Sequence, residues 1–242
     1  MLGRMLRGTG ETFITAGVVV LLFVVYLLYW TGFQNSRTQD RLGRDLEKAW
    51  AQGSPTTAGS TGTILGPGVP QPVVARLPAL GAGLGRIYVP RIALARVMVE
   101  GTTTVDLQEG PGHVPGTPMA GELGNFSVSG HRTTYGQPFN RLDEVRPNDH
   151  VVVETRTDFV TYRVVGQTDV DPNDGIVVTD STPAIGAQPP AATRLLTFTT
   201  CTPKYSAEQR LILRAVWERT DVKSALTRAP YQRPPALQPG SV

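Results

Sequence analysis

Apolar and polar positions divide the chain into two differently patterned parts. Near the N-terminus, residues 12–36 include no charged side chain, and the centre of this stretch, 18–28, is apolar except for one tyrosine hydroxyl. Between about 86 and 219, short apolar runs rich in β-branched residues alternate with turn-forming residues. The first pattern predicts a long apolar helix and the second predicts a series of short β-strands.

The uncharged stretch 12–36 has the length of a membrane-spanning helix, which takes about 20 apolar residues. Tyr26, Tyr29 and Trp30 suit the far interface of a bilayer, where aromatic rings settle. A cleaved signal peptide is the alternative, but no small-x-small cleavage site follows the run, so an uncleaved anchor is favoured. We expect a single-pass protein of the cell membrane.

The orientation follows from the long domain after the span. More basic residues follow the span than precede it, but long trailing domains translocate largely regardless of such charges. We therefore expect residues 1–11 to be cytoplasmic and the domain to be extracytoplasmic.

Residues 37–85 separate the span from the domain. Leu42, Leu46 and Trp50 have helical spacing and predict a short juxtamembrane helix, with a solvated stalk as the alternative. The stretch 53–85 is rich in Gly, Pro and Thr and predicts a flexible linker. A second Pro-rich stretch, 220–242, forms a C-terminal tail with weak structural signals.

The domain at 86–219 has the pattern of an all-β fold. Many short strands and few helical patterns predict an antiparallel barrel or sandwich. The clearest predicted strands are Arg86–Pro90, Asn125–Ser129, His150–Glu154, Phe159–Val165, Leu195–Thr200 and Leu211–Val216.

Charge and motif content exclude several classes of function. The net charge is only +3 and the basic residues are dispersed, which argues against a nucleic-acid partner. The three histidines lack a His-Glu-x-x-His spacing and there is one cysteine, so no metal site is predicted. Gly-x-Ser-x-Gly and phosphate-loop motifs are absent, and we expect no cofactor.

The single cysteine, Cys201, lies where a strand should end. A lone cysteine is most often an inert core residue, but Pro203 cannot donate a ladder hydrogen bond and should terminate the strand near Cys201. If this strand pairs with the next one as an antiparallel hairpin, Cys201 and Arg210 meet at one rim of the sheet. The alternative for Arg210 is an ordinary solvated side chain.

A thiol nucleophile needs a base or cationic partner, since only a few per cent is thiolate at neutral pH. His131 is the first candidate because it directly follows a predicted strand and Gly130. His113, in a turn-rich segment, is the second candidate, and His150, at the start of a strand, is the last. For each histidine, a structural or solvated imidazole is the alternative.

Together these motifs resemble the sortase family, over roughly 86–216, and most closely the class E sortases of actinobacteria. The resemblance is carried by three motifs in the family's order: Gly124-Asn125 leading to Ser129-Gly130-His131-Arg132, then Leu196-Thr197-Phe198-Thr199-Thr200-Cys201, then Arg210-Leu211-Ile212-Leu213.

The resemblance implies an eight-stranded sortase-type β-barrel with short helices and a two-step acyl transfer. Cys201 would attack the Thr-Gly bond of a Leu-(Pro/Ala)-x-Thr-Gly-like sorting signal on a surface protein and form a thioester. His131 would act as acid and base, and Arg210 would bind the oxyanion or the substrate backbone. The acceptor would be an amine of a peptidoglycan precursor.

Two other functions remain open at this point. A cysteine peptidase would use the same side chains with water as the acceptor. A non-enzymatic, membrane-anchored β-domain would keep Cys201 as a core residue.

Overall fold

Eight β-strands close into a barrel, and one long helix precedes them in the chain. The computed structural model describes residues 2–52, 79–173 and 193–223. The strands are β1 (Gly83–Val89), β2 (Leu94–Glu100), β3 (Gly112–His113), β4 (Gly124–Ser129), β5 (His150–Glu154), β6 (Asp158–Val170), β7 (Arg194–Thr202) and β8 (Gln209–Val222). The helices are α1 (Leu2–Ala51), α2 (Thr104–Glu109) and two 3-10 turns, Pro90–Ile92 and Leu142–Glu144.

The barrel follows the order β1-β2-β3-β4-β7-β8-β6-β5, and β5 pairs with β1 to close it. The expected eight-stranded, mainly β architecture is therefore confirmed. The expectation of a wholly antiparallel sheet is wrong, because β2 pairs with β3, and β4 with β7, in parallel. Parallel pairs require a crossover of many residues, and β4 and β7 are joined by 64 residues, 130–193.

The barrel core is formed by the inward side of the alternating strand positions. On β8, the residues Leu211, Leu213 and Ala215 are buried in the core, and Trp217 packs against its edge. This alternation places one face of β8 in the core, because successive side chains of a strand point to opposite faces. Val89, Phe126, Val128, Leu196 and Phe198 complete the centre of the same cluster.

Helix α1 continues through the predicted span and the predicted juxtamembrane helix. Within the part of the chain that the structure describes, no helix meets the length and hydropathy required to cross a membrane. The anchor at 12–36 therefore stays a prediction. Further along α1, Leu42 and Leu46 are buried against Val97 and Val99 of β2, so this end of the helix packs on the barrel instead of forming a solvated stalk.

The predicted linker and tail fall mostly outside the described residues. The stretches 53–78 and 224–242 are not described. The last residues of the predicted linker and the first residues of the predicted tail belong to the barrel, because β1 begins at Gly83 and β8 continues to Val222. Lys223, which follows β8, donates to Glu154 Oε1 over 2.7 Å.

Candidate active site

Cys201 and Arg210 lie opposite each other on neighbouring strands. In the antiparallel pairing of β7 with β8, the partner of Cys201 is Arg210 and the last pair is Thr202 with Gln209. Pro203 follows directly and ends β7, as the sequence predicted. The hairpin therefore brings Cys201 and Arg210 together at one rim of the barrel, where Cys201 is partly exposed.

Arg210 is held against the loop that joins β7 to β8. Its Nη1 donates to the carbonyl oxygens of Ala207 and Gln209, each at 3.0 Å. Ala207 belongs to the loop between the two strands and Gln209 is the first residue of β8, so the guanidinium stays near the rim where Cys201 lies. A planar guanidinium can donate to several acceptors in a fixed fork, which suits it to bind a peptide carbonyl.

His131 follows the end of β4, the strand on the other side of β7. The parallel register pairs Gly124 with Arg194 and continues without a shift to Ser129 with Thr199. His131 stands two positions beyond Ser129, and Cys201 two positions beyond Thr199. The same register thus brings the segments that carry His131 and Cys201 to one end of the barrel, with Cys201 between the histidine and Arg210.

Three hydrogen bonds extend this alignment beyond the end of β4. Gly130 N donates to Thr199 O over 3.1 Å, and Thr200 Oγ1 donates to Gly130 O over 2.8 Å. Arg132, which is 5% exposed, donates from Nη1 to Cys201 O over 3.2 Å. The residues on both sides of His131 are therefore bonded to the segment 199–201.

The loop after His131 is closed against the core. Phe139 N donates to His131 O over 3.1 Å, and the Phe139 ring is fully buried. A Cβ on Gly130 would lie 2.7 Å from the Phe139 ring, closer than carbon atoms pack. Glycine before His131 thus permits the loop to sit directly on the aromatic core.

The imidazole of His131 is half-buried, and desolvation lowers its pKa below the ordinary value of 6.5. Within the described part of the chain, its Nε2 is buried and has no hydrogen-bond partner. The ring packs against Tyr135 with centroids 5.0 Å apart. The unoccupied nitrogen of a neutral imidazole can accept a proton, and the imidazolium that results can deliver the proton to a substrate.

The structure gives His113, the second candidate, a structural position inside the barrel. The residue is fully buried, with Nδ1 2.7 Å from Glu100 Oε2 and Nε2 2.9 Å from Thr117 Oγ1. Its location in a turn was wrong, because Gly112 and His113 form β3. Both ring nitrogens are occupied, which leaves neither for a substrate.

His150, the last candidate, lies on an exposed part of β5. Its Nε2 is 3.0 Å from Glu218 Oε2, and both side chains are well exposed. Of the three histidines, only His131 belongs to a segment bonded to the cysteine strand. The assignment of chemistry to Cys201, His131 and Arg210 remains a prediction.

Sequence reasoning gave no role to Arg132 or Thr200, although both stand in the quoted motifs. Arg132 also contacts Asp143 over 3.1 Å, an ion pair within the connection between β4 and β5 that the sequence pattern does not reveal. In the described ranges, no three His, Cys, Asp or Glu side chains are grouped so that they could hold a metal ion.

Comparison with known proteins identifies the family. The model of the sortase domain matches residues 87–218. Sortase SrtE1 of Streptomyces coelicolor is 31% identical over 215 residues, a match that covers 86% of this chain and 55% of SrtE1. The chain therefore spans about half the length of this relative.

Solved structures agree with this result. Sortase E of Streptomyces avermitilis is 33% identical with a TM-score of 0.56, over 66% of this chain and 100% of that one. Sortase E1 of Streptomyces coelicolor, solved with a tripeptide in its active site, is 26% identical with a TM-score of 0.55, over 59% of this chain and 92% of that one.

The closed mixed barrel, with a cysteine at the end of β7, thus has the architecture of the sortase domain. The chain belongs to the sortase family, as its three motifs predicted. Among sortases it fits class E of actinobacteria, because its relatives include the Streptomyces enzymes of that class.

Proposed function

We propose that the chain is a membrane-anchored cysteine transpeptidase that uses Cys201 as its nucleophile. The observation that supports this most directly is the pairing of Cys201 with Arg210 at the rim of the barrel, beside the segment that carries His131. A nucleophile, a proton carrier and a hydrogen-bond donor, brought together at the ends of three adjacent strands, are the groups that acyl transfer requires.

In the first step, Cys201 passes its thiol proton to His131, and the resulting thiolate attacks the threonine carbonyl carbon of a Thr-Gly bond. A carbon–sulfur bond forms, the carbon–nitrogen bond breaks, and His131 gives a proton to the leaving glycine amine. In the second step, an incoming amine attacks the thioester, His131 takes the proton of that amine, and the thiolate leaves. The enzyme returns to its starting state.

Arg210 stabilises the oxyanion that forms in both steps or binds the substrate backbone. Its present acceptors are the backbone carbonyls of Ala207 and Gln209, which a substrate oxygen can replace as hydrogen-bond partners. The half-buried position of the guanidinium strengthens such bonds relative to those in bulk water. Loss of one donor of this kind typically costs about 3 kcal/mol of transition-state stabilisation.

The proposed donor substrates are surface proteins with a Leu-(Pro/Ala)-x-Thr-Gly-like sorting signal, and the proposed acceptor is a cell-wall amine. The similarity to a sortase E1 solved with a tripeptide in its active site supports a peptide substrate. The partly exposed rim at Cys201 gives an extended peptide access to the thiol.

Anchoring to the cell membrane is part of the same proposal. Among the described side chains of α1, apolar ones from Phe13 to Phe23 are well exposed, and an apolar helical surface of this kind needs lipid or protein to cover it. A tethered enzyme also meets membrane-tethered substrates at a raised effective concentration. Deletion of 12–30 should release the protein from the membrane fraction of cells, and retention there would contradict the anchor.

Product analysis tests the transfer reaction. Peptides with Leu-Pro-x-Thr-Gly and Leu-Ala-x-Thr-Gly sequences are incubated with the full chain, with and without an added amine nucleophile, and the products are identified by mass spectrometry. We expect the amine in the product, with no such product from the Cys201→Ala variant. Exclusive release of the free threonine acid would instead identify a cysteine peptidase.

A further inference from the structure

The end of α1 that packs on the barrel is joined to β2 by one side-chain amide. Gln39 Oε1 accepts from Val97 N over 2.8 Å, and Gln39 Nε2 donates to Val97 O over 3.2 Å. The same Nε2 donates to Glu109 O over 2.7 Å. The amide therefore pairs with Val97 as a neighbouring strand would, and this fixes the position of the helix on the barrel.

Four residues, or about one turn, before Gln39, Asn35 reaches the loop that follows His131. Its Nδ2 donates to Tyr135 O over 3.1 Å and to Gln108 O over 3.4 Å. Asn35 is only 9% exposed. A Cβ on Gly136 would overlap the Asn35 amide, so the amide fills the space that a side chain at 136 would need.

The backbone of this loop requires outside support. Tyr135, Gly136 and Gln137 have φ angles of +49°, +73° and +49°, and two of these three residues are not glycine. A left-handed conformation costs a non-glycine residue about 1–2 kcal/mol and persists where surrounding contacts hold it. Asn35 supplies such a contact at the first residue of the turn.

Tyr135 in turn touches His131. The two rings are 5.0 Å apart at an angle of 41°, and Gln108 Nε2 donates to the Tyr135 hydroxyl over 3.3 Å. Tyr135 is thus held at its carbonyl by Asn35 and at its hydroxyl by Gln108. Its ring covers part of the imidazole, whose lowered pKa is caused by desolvation alone.

From these contacts we propose that Asn35 is a positioning residue for His131. Asn35 stands in the last turn of the stretch 12–36 predicted as the anchor, and this end of the stretch then sets the orientation and solvent exposure of the acid–base group through Tyr135. The inference rests on the proposed function in that it takes His131 to be the proton carrier. It adds that residues outside the matched family domain at 87–218 contribute to the site.

The Asn35→Ala variant of the full chain in mild detergent tests this role. Arg41→Ala is the matched control, because Arg41 lies on the same helix and bonds Glu109 on the surface over 2.8 Å without contacting the loop at 135–137. The first readout is the NMR titration of His131 in the free enzyme. In Asn35→Ala we expect its midpoint to move up towards 6.5, because a displaced Tyr135 leaves the imidazole more hydrated.

The second readout is steady-state kinetics with a sorting-signal peptide and an amine. We expect kcat to fall about fivefold or more in Asn35→Ala, with a smaller change in KM and no change in Arg41→Ala. An unchanged titration in Asn35→Ala would overturn the inference, and so would an unchanged kcat. Equal effects in both variants would also overturn it, because they would reflect loosened helix packing in general.

The two readouts separate this inference from the proposed function. If the wild-type chain shows no amine-dependent turnover, the transfer reaction fails, while the His131 titration still tests the link from Asn35 to the imidazole. If turnover occurs and the titration does not respond to Asn35→Ala, only the positioning role is lost.

Discussion

Cys201 and Arg210 are direct partners across the β7–β8 hairpin, one pair before its last pairing. This relationship fixes the distance between the two segments by backbone hydrogen bonds rather than by flexible side chains. A donor held in this way needs little reorganisation when negative charge develops near the thiol. The proposed role of Arg210 follows from that arrangement.

Replacement of Arg210 by lysine tests whether the planar guanidinium group, with several N–H donors in one plane, is needed. We expect Arg210→Lys to lower kcat/KM by about 100-fold, because an ammonium cannot reproduce two directed donors from one plane. Arg219→Lys is the matched control, since Arg219 lies near the far end of β8 and pairs with Asp221 on the surface. Near-normal kinetics of Arg210→Lys would rule out a forked interaction.

The lowered pKa of His131 predicts where activity is lost in acid. The productive Cys201–His131 pair holds one proton in total, whether written as thiol with imidazole or as thiolate with imidazolium. Addition of a second proton inactivates the pair. Because desolvation lowers the pKa of His131 below 6.5, we expect the acid limb of kcat/KM to lie below pH 6.5. An acid limb of kcat/KM with its midpoint above pH 6.5 would contradict the desolvated environment of His131.

His113 should matter for stability and not for chemistry. Thr117 Oγ1 donates to Val114 O over 2.8 Å, so the His113 nitrogen beside it must donate, and one more proton is shared with Glu100. Removal of one partner of such a buried pair costs about 3–5 kcal/mol. We expect His113→Asn to lower the free energy of unfolding by this amount in urea titrations, with normal kcat for the folded fraction.

The opposite pattern is expected for the other histidine. His131→Ala should remove nearly all turnover and leave the unfolding midpoint close to that of the wild type, because the imidazole is only half-buried. If His113→Asn removed turnover in fully folded protein, the assignment of the two histidines would be reversed.

Gly130 should be sensitive to the smallest added side chain. A methyl group there would meet the Phe139 ring at 2.7 Å, and overpacking of this kind costs about 1–3 kcal/mol. We expect Gly130→Ala to lower both the melting temperature and kcat, since His131 is the next residue. Gly166→Ala, where a Cβ meets nothing within 4 Å, is the control.

A second substitution, at Phe139, tests whether the effect of Gly130→Ala is caused by the contact with the Phe139 ring. Phe139→Leu combined with Gly130→Ala should recover part of the lost kcat, because the smaller side chain leaves room for the methyl group. A double variant no better than the sum of the two single variants would mean that Gly130 acts in another way.

The sequence predicted which residues meet at the rim better than it predicted the strand order of the barrel. Pro203 predicted the end of β7, and the assumption that β7 and β8 form a hairpin was enough to predict the meeting of Cys201 with Arg210, which the pairing confirms. The signal from Pro203 is local, since proline ends a strand. The family resemblance then identified the class.

Other features depend on residues far apart in the chain. Strand β2 was not predicted, because it follows the 3-10 turn at 90–92 and the left-handed Ala93 instead of a Gly- or Asn-rich turn. Strand β3 has only two residues. The pairing of β4 with β7 and the contact of Asn35 with Tyr135, 100 residues away, arise only when the barrel closes.

Capture of an acyl-enzyme on Cys201 tests the central claim most directly. The full chain is mixed with sorting-signal peptides in the absence of amine, quenched in acid and analysed by intact-mass and peptide-mapping mass spectrometry. We expect a hydroxylamine-sensitive adduct on Cys201 with the mass of the peptide up to threonine, and no adduct in Cys201→Ala. Amine-dependent transfer without any adduct in the wild type, or with the same turnover in Cys201→Ala, would contradict a thioester mechanism.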